Sequence, residues 1–229
     1  MKKILVFFCT IVALSAKAQQ LSQVGFSNGS TLSYFSITVD QGALLRISDE
    51  GKVLEWGTEL MSNRGNLYAP RLQPFMGRVE YYGAESDSIF RGKLKSIGTT
   101  SFTYYPATEV ETRAGKLRTA GTLILDYYSN YDNALLKGKL KSVGNMNLDY
   151  YSSFDEEILR GKLKTVSNTS ITYYSSFDDK LIRGLVKTIG SYTYTWYTSL
   201  DLNASRGALK TGQYRQVIGS VAYILRENF

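Results

Sequence analysis

The sequence predicts an all-β fold, an antiparallel meander of tandem hairpins, and three observations carry that prediction. Glycine recurs every 23 residues, at Gly92, Gly115, Gly138, Gly161, Gly184 and Gly207. An aromatic pair keeps the same interval: Tyr81-Tyr82, Tyr104-Tyr105, Tyr127-Tyr128, Tyr150-Tyr151, Tyr173-Tyr174 and Trp196-Tyr197. Between them, short β-branched and aromatic runs alternate with Gly, Ser, Asn and Asp breaks, and no run has the apolar spacing of a helix. A fixed short period means one supersecondary unit copied in tandem, each copy burying its apolar face on its neighbours. An extended twisted sheet is expected, with a closed β-barrel as the alternative.

Residues 1–18 read as a secretory signal peptide: Met1-Lys2-Lys3, an apolar run from Ile4 to Leu14, and Ala16-Lys17-Ala18 as a cleavage site. That run is too short to cross a bilayer, and no later stretch approaches the roughly 20 apolar residues a spanning helix needs, so no transmembrane helix is expected. Export to the periplasm, cell surface or extracellular space follows. Residues 19–76 read as a divergent N-terminal β cap, with strands near 33–39 and 44–47, a turn at Asp49-Glu50-Gly51, and an irregular loop holding Pro70 and Pro74.

Residues 77–229 read as the tandem hairpins. One copy runs Arg160-Gly161-Lys162-Leu163-Lys164-Thr165-Val166, a polar turn 167–170, Ile171-Thr172-Tyr173-Tyr174, and a second turn 175–179. Side chains alternate faces with period two, so with an odd repeat either successive copies alternate sides or each copy holds one odd-length turn or one bulge, and the second is expected. The periodic glycine, or the turn glycine at Gly98, Gly121, Gly144 and Gly190, is the expected seat of that bulge. A two-residue turn at Asp132-Asn133 would set Tyr127 across from Gly138, its ring shielding the bare backbone. A closing strand is expected over 217–225.

The spacing from Tyr173 to Gly184, with Phe177 four residues after the tyrosine, resembles a degenerate membrane-occupation-and-recognition-nexus (MORN) repeat. Ser175, Lys180 and Val186 stand where that pattern has glycine. Glu55-Trp56-Gly57, Gly77-Arg78-Val79-Glu80-Tyr81-Tyr82 and Gly138-Lys139-Leu140-Lys141-Ser142 more closely resemble exported 23-residue hairpin-repeat proteins of Bacteroidetes-type bacteria. That likeness implies a hairpin-by-hairpin sheet and carries over no catalytic residue and no ligand.

Composition excludes several chemistries. The chain has no His, and its single Cys, Cys9, lies in the signal segment. The mature chain therefore holds no disulfide, no thiolate or imidazole metal site, and no Cys- or His-dependent nucleophile. Loss of residues 1–18 lowers the bases from 27 to 24 against 20 acids, a mild excess that says little about nucleic acid, which is not an expected partner. No catalytic residue, cofactor or metal ligand is assigned.

Two columns are candidate binding features. Lys95, Arg118, Lys141, Lys164 and Lys187, continued by Lys210, stand three residues after each glycine and would form a cationic ridge able to track a polyanion, or simply a solvated face. Tyr104, Tyr127, Tyr150 and Tyr173 would stack on sugars, or fill space in a thin sheet. An acidic column at Glu109, Asp132, Asp155, Asp178 and Asp201 suits turn capping better than catalysis, because it obeys the repeat symmetry that a catalytic pair would break.

The function expected is a non-enzymatic exported scaffold that contacts a glycan, an envelope component or a protein. Two alternatives stand beside it. One is an outer-membrane β-barrel ending in Phe229. The other is a hydrolase using only Asp and Glu, drawn from Asp49, Glu50, Glu55 and Glu59.

Overall fold

The computed structural model describes residues 19–59, 71–201 and 205–226, all arranged in strands, turns and loops with no α-helix among them. The chain begins with β1 (Gln20–Ser27), β2 (Thr31–Thr38), β3 (Leu44–Ile47) and β4 (Val53–Gly57). The repeats supply β5 (Val79–Tyr81), β6 (Leu94–Ile97), β7 (Thr100–Tyr104), β8 (Leu117–Ala120), β9 (Leu123–Tyr127) and β10 (Leu140–Val143). They continue with β11 (Met146–Tyr150), β12 (Leu163–Val166), β13 (Thr169–Tyr173), β14 (Val186–Ile189) and β15 (Tyr192–Thr193). A short ribbon, β16 (Thr195–Trp196) with β17 (Leu209–Thr211), leads to the closing hairpin, β18 (Arg215–Ile218) and β19 (Val221–Arg226).

Strands β5 to β15 form one 11-stranded sheet in strict sequence order, every pair antiparallel. Both ends of the order are open, so the sheet is a meander and not a closed barrel. The closing hairpin does not extend it. Instead β19 pairs in parallel with β1, making a second sheet of 6 strands ordered β18-β19-β1-β2-β3-β4. Sequence reading treats both ends of the chain separately, and nothing local announces that they pair.

The two sheets share one hydrophobic core, in which Phe26, Phe35 and Ile47 meet Leu117, Leu140 and Ile171. The turns of the smaller sheet fasten it at both ends of the repeat strands. Val186 N–H donates to Gly29 O at 2.7 Å and Ser30 Oγ to Gly184 O at 2.8 Å, while Lys139 pairs with Asp49. At the opposite end Asp40 Oδ2 accepts from Thr99 N–H at 2.8 Å, and Thr122 Oγ1 donates to Gln19 at 2.9 Å. Strands in the two layers therefore run along a common direction, as in an aligned sandwich.

Each repeat strand pair is joined by a two-residue turn, Ile97 facing Thr100 and Ala120 facing Leu123. Only the first turn residue is left-handed, with φ of 57° at Gly98 and 60° at Gly121, the pattern that places glycine first in a hairpin turn. The polar stretch 167–170 is shorter as a turn than its composition suggests, because Thr169 and Ser170 already belong to β13. The connection after each tyrosine pair is longer, spanning 128–139 or 174–185, so no two-residue turn exists at Asp132-Asn133.

This corrects two expectations. Tyr127 faces Leu140, not Gly138, whose N–H donates to Tyr128 O at 2.9 Å. The periodic glycines hold φ of 72° to 80°, and a Cβ placed on Gly92, Gly161 or Gly207 would meet no atom within 4 Å. Backbone handedness, not a covering ring, calls for glycine there. The bulge also sits elsewhere. Asp126 faces Ser142 and Tyr127 faces Leu140, which leaves Lys141 unpaired; the same shift isolates Lys95, Arg118, Lys164, Lys187 and Lys210. The cationic column is itself the extra residue that reconciles an odd repeat with a fixed buried face.

Candidate functional site

The outer face of the repeat sheet is polar and regular. Leu117 and Ala120 point into the core while Arg118 and Thr119 stay outside; the same division repeats at Leu140, Val143, Lys141 and Ser142. Facing Thr103 and Thr119 bond through their hydroxyls at 2.7 Å, as do Thr172 and Thr188.

The bulged cations from Arg118 to Lys210 stand over the second tyrosine of a pair. Arg118 lies 5.7 Å from the Tyr105 ring, Lys141 5.4 Å from Tyr128, Lys164 5.3 Å from Tyr151 and Lys187 5.4 Å from Tyr174. Such cation–ring contacts fix a long side chain over its aromatic platform. Lys95, Arg118, Lys141 and Lys187 are exposed and Lys164 is half-buried. Acids temper the ridge: Lys210 pairs with Asp201 at 2.8 Å. The Asp155 carboxyl is held below its usual range by the Ser152 hydroxyl and backbone N–H, with Lys164 adding a smaller pull.

The first tyrosines belong to the core. Tyr104, Tyr127, Tyr150 and Tyr173 expose only 7, 1, 2 and 5 % of their surface, which closes them to stacking on a ligand. Each hydroxyl donates to a carbonyl ten residues back, Tyr127 to Leu117 at 2.7 Å and Tyr150 to Leu140 at 3.0 Å. The second tyrosines lock neighbouring copies together. Tyr128 Oη donates to Leu148 O at 2.9 Å, and its ring meets Tyr150 edge-on with centroids 6.1 Å apart.

Four of the five acids in the column cap their own loops, while Glu109 accepts from the adjacent Val110 N–H at 3.3 Å. Asp155 Oδ2 accepts from Ser152 N–H at 2.6 Å and Ser152 Oγ at 2.8 Å, and Asp132, Asp178 and Asp201 repeat that geometry. Of the carboxylates proposed for hydrolysis, Glu55 pairs with Arg46, and Glu59 accepts from Gln23 at 2.9 Å and Arg215 at 3.3 Å. Asp49 pairs with Lys139. Glu50 instead lines a cleft of about 560 Å³ between the layers, with Trp56, Tyr81, Lys93, Tyr104 and Lys116.

The structure also shows a feature that sequence reading passes over. Tyr131, Phe154, Phe177 and Leu200 occupy one position, 23 residues apart, at the tips of successive loops. They are 100, 94, 95 and 87 % exposed. The tips are tied to one another: Asn133 Nδ2 donates to Ser153 Oγ at 2.7 Å, Ser176 N–H to Glu156 at 2.6 Å, and Ser199 N–H to Asp179 at 3.2 Å. The detectable signal is a large apolar residue before each column aspartate in an otherwise polar segment, of which Phe177 alone registers as a family mark.

No helix among the described residues is long and apolar enough to cross a membrane. Compared with known proteins, the chain matches no family model, no curated protein and no solved structure.

Proposed function

We propose that this protein is an exported, non-enzymatic scaffold that presents a repeated surface to a glycan, an envelope component or a protein, and that it belongs with the exported hairpin-repeat proteins its sequence resembles. The observation that carries the reading is the repetition of the accessible chemistry. The three central copies place the same bulged cation, Lys141, Lys164 or Lys187, over the same tyrosine, and each carries the same capped aspartate, Asp132, Asp155 or Asp178. Copying a unit lengthens a contact surface, whereas a reaction centre needs different residues converging on one point.

The test is retention of the purified protein on an array of glycans and envelope extracts, with Lys141→Glu/Lys164→Glu as the variant for the ridge. Binding through the ridge falls steeply with added salt and with the variant. Turnover of a polysaccharide that disappears in Glu50→Gln would replace the scaffold with a hydrolase.

A further inference from the structure

The loop-tip row of Tyr131, Phe154, Phe177 and Leu200 is the least economical feature of the fold. Large apolar side chains that stay almost wholly exposed in copy after copy gain nothing from folding, and exposed apolar clusters mark contact sites. The display is rigid. In one loop Phe154 N–H donates to Ser152 Oγ at 3.2 Å while Asp155 caps the same serine, so the backbone on both sides of the ring is held. The next loop repeats this around Phe177, where the amide donates to Ser175 at 3.3 Å. Hydrogen bonds from tip to tip then fix neighbouring rings in register, two strands or about 10 Å apart.

From this geometry we infer that the loop edge binds a linear, uncharged polysaccharide, laid across the strands with its sugar rings stacked on Tyr131, Phe154 and Phe177. The inference rests on the scaffold reading above and moves its contact from the sheet face to the loop edge.

Three observations select that partner. The row is periodic and linked tip to tip, so its complement is a polymer that presents an apolar face at regular intervals, as sugar rings do through their C–H faces. Asn130, Ser153 and Ser176 immediately precede the three rings in the chain, so each ring has a polar neighbour suited to the hydroxyls of such a chain. Charge disfavours anionic partners: over 129–138, 152–161 and 175–184 acids outnumber bases six to four, whereas polyphosphate or an anionic bilayer needs a cationic excess. A protein partner would require a contiguous packed patch of about 800 Å², and these rings are separated by polar residues.

The probes are short and long oligomers of neutral β-linked glucan and of N-acetylglucosamine, with phosphatidylcholine vesicles as the competing surface. The variant Phe154→Ser/Phe177→Ser removes two rings that make no core contact, and a thermal melt verifies that its fold is intact. The expected result is binding that tightens with oligomer length and weakens about 10-fold or more in the variant, at an unchanged melting temperature. Lys141→Glu/Lys164→Glu should leave that binding in place. The reverse pattern, with loss in the lysine variant only, overturns the inference and leaves the scaffold reading standing on the ridge. Vesicle binding or self-association that disappears in the phenylalanine variant overturns it in favour of a membrane or a second copy. Failure to retain any neutral oligomer refutes it outright.

Discussion

Alkaline pH should unfold this protein in a single steep step, because its core is lined with phenols that cannot ionise in place. Tyr104, Tyr127, Tyr150 and Tyr173 are pushed well above the ordinary tyrosine value, chiefly by burial, with neighbouring tyrosines and acids adding to the effect. Each also donates its proton to a main-chain carbonyl, so a phenolate there would face an oxygen it cannot bond. In the unfolded chain the same groups titrate near pH 10. The folded pKa is the higher one. The stability these protons contribute is therefore fully present below about pH 10 and drains as pH rises past it, by about 1.4 kcal/mol per phenol per pH unit. Four phenols together lose about 6 kcal/mol by pH 11, comparable with the whole stability of many domains. The phenolate absorbance contributed by these four rings, read as the component missing in their Phe variants, should change together with the far-ultraviolet circular dichroism in a step steeper than one proton. Tyr150→Phe should make the step shallower by one proton. That component rising gradually with the strand signal intact to pH 12 would show that the four rings reach water and that the core assignment is wrong.

Ser167 holds the left-handed turn position, φ 50°, that glycine holds in the neighbouring copies, so Ser167→Gly should stabilise by about 1 kcal/mol; a urea midpoint that stays or falls contradicts this. Gly29 is left-handed at φ 59° and lies under the Trp196 indole, which a Cβ would strike. Gly29→Ala should cost at least about 2 kcal/mol in the same assay, and a neutral result would dissolve that packing of sheet on sheet. The Asp201 carboxyl is held down at about 2 by the Lys210 amine first and then by the Thr198 N–H and hydroxyl. With the folded pKa depressed, its capping is present above the ordinary value of 3.8 and is lost as pH falls toward 2. The Thr198 amide resonance should titrate in that window and stop doing so in Asp201→Asn; a midpoint at the ordinary value contradicts the cap.

The strands were legible in the sequence because β-branched runs and turn residues recur on a fixed beat, and tandem copies magnify a weak local signal. An irregularity in each copy, or else copies on alternate sides, followed from parity alone. Its location did not, since Lys141 and Gly138 are equally plausible bulge residues until the pairing of Asp126 with Ser142 is known. The tyrosines were visible as a column that either stacks on a ligand or fills space; alternation assigns Tyr127 and Tyr128 to opposite faces, and only tertiary packing shows Tyr127 buried and Tyr128 nearly so. The parallel pairing of β1 with β19 was illegible for a different reason, because it joins the two ends of the described chain without a local turn to betray it. The loop-tip row was hidden by habit, since an apolar residue on a repeat is ordinarily read as core.

The most direct test of the account is the affinity of the purified protein for a neutral linear glycan as a function of oligomer length. Equal contacts repeated along one line predict that affinity climbs with each added stretch until the oligomer spans Tyr131 to Leu200, and then levels off. Affinity that is already complete in the shortest oligomer and indifferent to length would place recognition at a single pocket and contradict a repeated surface.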